Sequence, residues 1–517
     1  MEQQVSLRTK PQPANLANLP TDILVQILDH FRNHNAVCRD YVRWDDLYDE
    51  SPDQTLCNLR LTCRRLHDLA SPLLLPVLDI DLDQKSLGHA EELLSNQHIA
   101  SGVVGLRVTL EYRPAELTAD LAKFVKVKDE ALVGILDYPG RLEALAFGFA
   151  RGSVGFEKAS AEQMHNRRAM RRAWDNVIGG KDGDELDEQE QLQLIEKGTF
   201  VNTLASLLPK GQQPLSLSIR GTKYEDEDEY MDDCIDVFED TDALCRFLTD
   251  PHAWATLNHR DGEVTLTQAK IVSELPIALH KAGVSLKYFH LSCLPVRSNY
   301  SDLCPGPDIS PDAAAWHDLQ AACEQLKVFE LVGLGFEYHK KPQTVYISSE
   351  GRAFIEAYLC AVLSSQCLES VEVDLSGFGL VDTDSGWTEP CHLTGTFSSI
   401  SWPCINYLDL NGMAFTQEEL ERLCLRLSPS LGDLFLQTIN LRDGSWARTL
   451  DILRDKVLAN PQLLILLGDL RGGELGQKTK VSRDTRSRQW ELRDEGMVEK
   501  FRQYVQGKEG MENPVKG

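Results

Sequence analysis

Apolar residues follow two rhythms along the chain. From Leu19 to Phe31, Ile23, Ile27 and Phe31 recur at i, i+4 and i+8 with Leu24 and Leu28 beside them, which predicts an amphipathic helix. Pro20 suits a first helical position, and Asp22 complements the positive end of the helix dipole. A second helix is predicted from Leu56, where Leu56, Leu59, Cys63, Leu66 and Ala70 mark one stripe until Pro72 breaks it. Beyond residue 100 the rhythm shortens to a phrase with apolar residues at positions 1, 4, 6 and often 9. Its clearest copies are Leu286-x-x-Phe289-x-Leu291-x-x-Leu294, Leu326-x-x-Phe329-x-Leu331-x-x-Leu334, Ile405-x-x-Leu408-x-Leu410-x-x-Met413 and Leu431-x-x-Leu434-x-Leu436-x-x-Ile439. Leu368-x-x-Val371-x-Val373 is a shifted copy, and candidate earlier ones start at Val103 and Leu142, with a resumption around Leu215-x-Leu217-x-Ile219. The alternation at positions 4 and 6 predicts a short strand. Helical patterns at 351–363 and 417–427 lie between the phrases, so each unit is a strand plus a helix.

The first rhythm resembles the F-box: Leu19-Pro20, then Ile23, Leu24, Ile27 and Leu28, then Leu56-x-x-Leu59-x-Leu61-Thr62-Cys63-Arg64-Arg65-Leu66 and Leu69-Ala70-Ser71-Pro72-Leu73. The resemblance covers about residues 16–80 and departs from the family in the long segment Arg32 to Thr55, which contains Trp44-Asp45-Asp46. It implies a helical module that docks on the Skp adaptor of a cullin-RING (SCF-type) ubiquitin ligase. The implied adaptor contacts are Leu19, Pro20, Ile23, Leu24, Ile27, Leu59, Cys63 and Leu66. The second rhythm resembles the leucine-rich repeat. Its phrases start at 286, 326, 368, 405 and 431, and the steps of 40, 42, 37 and 26 residues make the repeats irregular or interrupted by insertions. The implied fold class is α/β: an N-terminal helical F-box module followed by an irregular leucine-rich-repeat solenoid of strand-helix units. Strand-helix alternation alone equally fits another parallel α/β fold, including a closed barrel.

Charge narrows the partners. Fifty-three Lys and Arg against 79 Asp and Glu leave a formal net charge of −26. A surface this acidic repels phosphate backbones and anionic lipid, so neither nucleic acid nor membrane is an expected partner. The segment Met1 to Lys10 has no apolar run, and the apolar stretch Leu463 to Leu467 is far short of the ~20 residues a membrane span needs. A soluble chain in the cytoplasm or nucleus is the expectation. The 13 cysteines show no repeated spacing and no C-x-x-C pair, which predicts reduced thiols rather than a disulfide framework.

Signatures of catalysis are missing from the text. Gly476-Gln477-Lys478-Thr479 lacks the glycine spacing of a phosphate loop, and Gly333-Leu334-Gly335 lacks the third glycine of a dinucleotide loop. No H-E-x-x-H or G-x-S-x-G occurs, and His165, His259 and His290 have no motif around them. The sequence therefore predicts a non-enzyme, with no catalytic residue, metal ligand or cofactor assigned. The acidic runs near 181–190 and 224–242 predict solvated inserts, and Arg167, Arg168, Arg171 and Arg172 form a basic helical face that could partner them.

The resulting division is a flexible 1–15, a helical module at 16–80 with an insert at 32–55, a repeat domain at 81–470, and a mobile or helical extension at 471–517. Together the two resemblances imply a substrate-recognition subunit of an SCF ligase, with the Skp adaptor and cullin as partners and a protein target on the repeats. The competing reading is a leucine-rich-repeat scaffold without ligase function, its N-terminal helices serving as a cap.

Overall fold

The computed structural model describes residues 19–29, 54–111, 188–208, 214–222, 266–295, 297–333, 345–376, 380–382, 389–393, 396–475, 495–507 and 510–516, with a few single positions such as Leu16 and Trp254. The acidic runs (apart from the first helical turn at 188–190), most of the 32–55 insert, the phrase at Leu142 and the segment 1–15 lie outside them.

Three short helices begin the chain: α1 (Thr21–Asp29), α2 (Gln54–Arg60) and α3 (Arg64–Ala70), followed by a 3-10 turn at Ser71–Leu73. The single helix predicted from Leu56 is thus two. Thr62 breaks it, its hydroxyl donating to the Leu59 carbonyl at 2.7 Å while its own N–H bonds the same oxygen at 3.1 Å. A hydroxyl that satisfies the backbone locally competes with helix continuation, and Cys63 restarts the next helix from an extended conformation (φ −160°, ψ 160°). The Arg65 guanidinium donates to the Thr21 hydroxyl at 2.7 Å and ties α3 to α1.

The chain then builds a mixed α/β body on a parallel sheet of nine strands. These are β1 (Val77–Asp81), β2 (Gly105–Thr109), β3 (Leu215–Arg220), β4 (Leu286–Leu291), β5 (Val328–Leu331), β7 (Ser370–Asp374), β10 (Tyr407–Asn411), β12 (Asp433–Gln437) and β14 (Leu464–Gly468), and they lie side by side in chain order. Among the described strands β1 and β14 are the two edges and do not pair with each other, so this sheet is open and the closed-barrel alternative falls. The repeating phrases supply β2 to β5, β7, β10 and β12; β1 and β14 escaped that pattern. β1 begins at Val77, inside the span assigned to the helical module.

Parallel neighbours need a crossover, and helices supply it. Those between and after the strands are α4 (Gln84–Ser95), α5 (Gln97–Ala100), α6 (Glu188–Glu196), α7 (Thr199–Leu207), α8 (Ala269–Lys281), α9 (Ala315–Ala322), α10 (Ser349–Val362), α11 (Thr396–Ser399), α12 (Gln417–Arg426), α13 (Trp446–Ala459) and α14 (Glu495–Val505). From α7 to α14 each packs on the next in chain order. One core fills the space between this helical layer and the sheet, with Phe289, Phe329, Val371, Leu408, Leu434 and Leu467 among its members. Local chemistry fixes the helix starts. α12 opens on a capping box in which the Thr416 hydroxyl accepts from the Glu419 N–H while the Glu419 carboxylate accepts from the Thr416 N–H.

Past the C-terminal ends of the last strands the chain turns into a second sheet of six short strands: β6 (Val345–Ile347), β8 (Leu380–Asp382), β9 (Glu389–His392), β11 (Met413–Phe415), β13 (Asn440–Leu441) and β15 (Arg471–Gly472). Among the described strands only β8 and β9 pair antiparallel. The turn between the sheets recurs: Gly412, Thr438 and Asp469 each follow the last residue of a main strand and each has positive φ (72°, 50° and 45°). At Gly412 the reason is spatial, because a Cβ would lie 2.4 Å from the Ser376 backbone nitrogen.

The C-terminal extension is packed where it is described. Phe501 of α14 is fully buried 6.4 Å from the Trp446 ring, and Arg502 Nε donates to the Leu467 carbonyl at 2.6 Å, occupying an acceptor of the edge strand β14. Tyr504 donates to Asp451 at 2.7 Å and its ring lies under the Arg454 guanidinium at 4.4 Å, so the chain end covers the last unit.

Candidate docking surfaces

The N-terminal helices bury one apolar stripe and leave several further apolar side chains exposed. On α1, Leu24 and Leu28 are 1% and 3% exposed, four residues apart and therefore on one face. Leu28 joins Leu56 and Ala70 in a small core, with Leu59, Leu69, Leu73 and Leu74 against it. Leu66 is buried as well, so two of the sequence-assigned contacts, Leu24 and Leu66, support the module from inside. Leu19, Ile27, Leu59 and Cys63 are half-buried, and Pro20 is exposed.

Apolar groups are exposed at unusual density in and around this module. Nine large apolar side chains stand exposed among the described residues, and four of them, Leu16, Ile23, Val25 and Leu61, lie in or beside this module. Leu61, at 83%, is the most exposed of all, and it sits at the break between α2 and α3. Sequence reasoning missed it because it was read as one turn of a continuous helix. It missed Val25 because that position lies off the stripe. Four large apolar side chains left in water within one short module are candidates for burial by a partner. The module also rests on the body: Gly102 approaches Pro72 so closely that a Cβ there would fall 1.7 Å from the Pro72 carbonyl oxygen.

The second surface is the face of the nine-stranded sheet opposite the helices. Strand register places one residue per strand in a continuous row: Asp79, Arg107, Ser218, His290, Glu330, Glu372, Asp409, Phe435 and Leu466. The row changes character along its length. Around β2 to β4 it is buried and cationic, with Arg107 only 5% exposed and 3.4 Å from Asp79. His290, which shares a 2.9 Å hydrogen bond with Ser218, is pushed down to about 3 by burial first and then by the Arg220 and Arg107 charges, so its imidazole is neutral.

From β5 to β12 the face is acidic and aromatic. Glu330 accepts from the Tyr288 hydroxyl, and Glu372, Asp374, Asp409 and Asp433 follow on adjacent strands. Burial raises Asp409 to about 6, the neighbouring Asp374 charge adds to the rise, and the 3.5 Å contact from the Tyr407 hydroxyl only partly opposes it. Tyr407 is itself raised well above the usual phenol value, by burial and then by Glu372, Asp409 and Glu330. Its ring lies 5.5 Å from that of Phe435. On β14 the face ends with Leu464 and Leu466, which are 46% and 36% exposed.

A third cluster, His392 with Glu419 (2.8 Å) and Arg442 with Glu389 (3.3 Å), joins the second sheet to α12 and is largely buried, which suits a structural network. No group of three His, Cys, Asp or Glu side chains among the described residues is arranged to hold a metal ion, and no helix among them is long and apolar enough to cross a membrane. No protein-family model and no curated protein matches the chain.

Proposed function

We propose that this protein is a substrate-recognition subunit of an SCF-type cullin-RING ubiquitin ligase, which holds the Skp adaptor through its N-terminal helices and a protein target through the repeating body. The observation that carries the reading is the coincidence of the two-part F-box-like text with the exposed apolar side chains Ile23 and Val25 on α1 and Leu61 at the break between α2 and α3. Burying an exposed leucine or isoleucine stabilises a complex by roughly 1.5–3 kcal/mol, so a few such anchors sustain a specific interface. The chain-order parallel sheet, the outer layer of successive helices and the recurring turn at Gly412, Thr438 and Asp469 support reading the body as an irregular leucine-rich-repeat solenoid. Such a subunit does no chemistry itself. It raises the effective concentration of target at the ubiquitin carrier.

Co-expression with the Skp adaptor followed by size-exclusion chromatography tests the assignment. The wild type is expected to co-elute, and a Pro20→Ala, Ile23→Asp, Leu61→Asp variant to elute alone while keeping its helical circular dichroism. A folded wild-type chain that never co-elutes would move a second reading to first place, that of a repeat scaffold whose N-terminal helices only cap the sheet. The close approach of Gly102 to Pro72 favours that alternative.

A further inference from the structure

We propose that the open sheet face formed by β5, β7, β10, β12 and β14 binds an extended basic segment of a partner protein, Lys or Arg side chains meeting Glu330, Glu372 and Asp409 and a following apolar residue covering Phe435 and Leu466. The inference rests on the substrate-receptor reading and names the chemistry of its target.

Three observations converge on it. Charge is the first. The groups that perturb Tyr407 on this face are all carboxylates, Glu372, Asp409 and Glu330, and the charge acting on Asp409 is another carboxylate, Asp374. A cationic side chain is the complement such a surface selects, and a polyanion is what it repels. The second is unmet hydrogen bonding. Asp409 Oδ1 and Asn411 Oδ1 are shielded from solvent and accept no hydrogen bond among the described residues. An acceptor left in that state lacks the partner that a guanidinium, with five N–H donors, supplies. The third is the apolar end of the same row, where Phe435 adjoins exposed Leu464 and Leu466.

Geometry sets the pattern of the segment. Neighbouring strands lie ~4.8 Å apart, so Glu330 to Asp409 spans roughly 10 Å and Phe435 and Leu466 follow within another ~10 Å. An extended peptide advances ~3.3 Å per residue with alternate side chains on one side. Laid across the strands, it presents two basic residues at alternate positions and then apolar ones at the next two alternate positions.

The probe is a fluorescein-labelled peptide, Arg-Ser-Arg-Ser-Leu-Ser-Leu, read by anisotropy against the purified full chain, with Glu-Ser-Glu-Ser-Leu-Ser-Leu as its charge-reversed counterpart. Binding of the first peptide alone is expected, weakened at least tenfold in a Glu372→Gln, Asp409→Asn variant and several-fold in Leu466→Ser. The same loss of charge on α4, Glu91→Gln with Glu92→Gln, should change affinity less than twofold. Equal weakening by that control would reduce the effect to net charge and overturn the proposal, as would absence of binding to wild type. Binding that appears only after Arg483, Arg486 and Arg488 are replaced by Ser would overturn it too, by assigning the face to the chain's own basic segment. The face variants should still co-elute with the Skp adaptor, so failure here and failure of the ligase reading separate cleanly.

Discussion

Asp409→Asn should make the protein more stable near neutral pH, and the gain should vanish in acid. In the folded chain this carboxyl is raised from 3.8 to about 6 by burial and by Asp374. A shift of roughly 2 units at 1.36 kcal/mol per unit sets a ceiling of about 3 kcal/mol. Because the side chain is only half-buried, solvent screens part of the effect, and about 1–2 kcal/mol is the working figure. The sign follows from which form folding favours. The folded state prefers the protonated acid, so the contribution of Asp409 is fully present below the unfolded value of 3.8 and is lost as pH rises through about 6. Asparagine keeps the shape and cannot ionise. Urea midpoints of wild type and variant should therefore converge near pH 4, separate between pH 4 and 6, and stay apart by a constant amount above pH 7. A gap that is independent of pH, or a wild type that is the more stable chain at pH 7.5, would refute the reasoning. A bound cation reverses the balance, so the basic peptide should stabilise wild type more at pH 7.5 than at pH 4.5.

Leu24→Ala removes a fully buried side chain and should cost about 2–5 kcal/mol of module stability, whereas Leu61→Ala, already in water, should leave the melting temperature within a degree or two and still weaken adaptor binding. Calorimetry and adaptor titration of the two variants read these effects apart. Gly412→Ala places a Cβ 2.4 Å from the Ser376 nitrogen at positive φ, and the strain of about 1–3 kcal/mol plus the displacement of a paired strand should appear as a lowered denaturation midpoint. Phe501→Ala opens the packing of α14 on Trp446 and should cost about 3–5 kcal/mol, checked by faster proteolysis of the C-terminal segment.

What the sequence revealed follows from how many residues speak for each feature. The strands announced themselves because each copy of the phrase puts apolar residues at alternate positions, and β7, β10 and β12 indeed bury Val371 and Val373, Leu408 and Leu410, Leu434 and Leu436. β14 hid because Leu464 and Leu466 are exposed, so the run Leu463 to Leu467 shows no alternation to read. β1 hid under the tail of the helical pattern, and the break at Thr62 hid because one hydroxyl outweighs an apolar stripe that runs straight through it.

The candidate surfaces were legible in inverse proportion to their distance in sequence. Ile23 and Pro20 belong to one contiguous text, and both are exposed. Glu330, Glu372 and Asp409 are separated by roughly 40 residues each, lie outside the apolar positions that define the phrase, and meet only because the register of β5, β7 and β10 aligns them. A periodic core pattern is selected by packing and repeats in every unit. The face it leaves free is selected by whatever binds there, so its residues need not repeat. The elevated Asp409 carboxyl and the unmet oxygens beside it weaken the folded chain in isolation, and a basic partner offsets that loss.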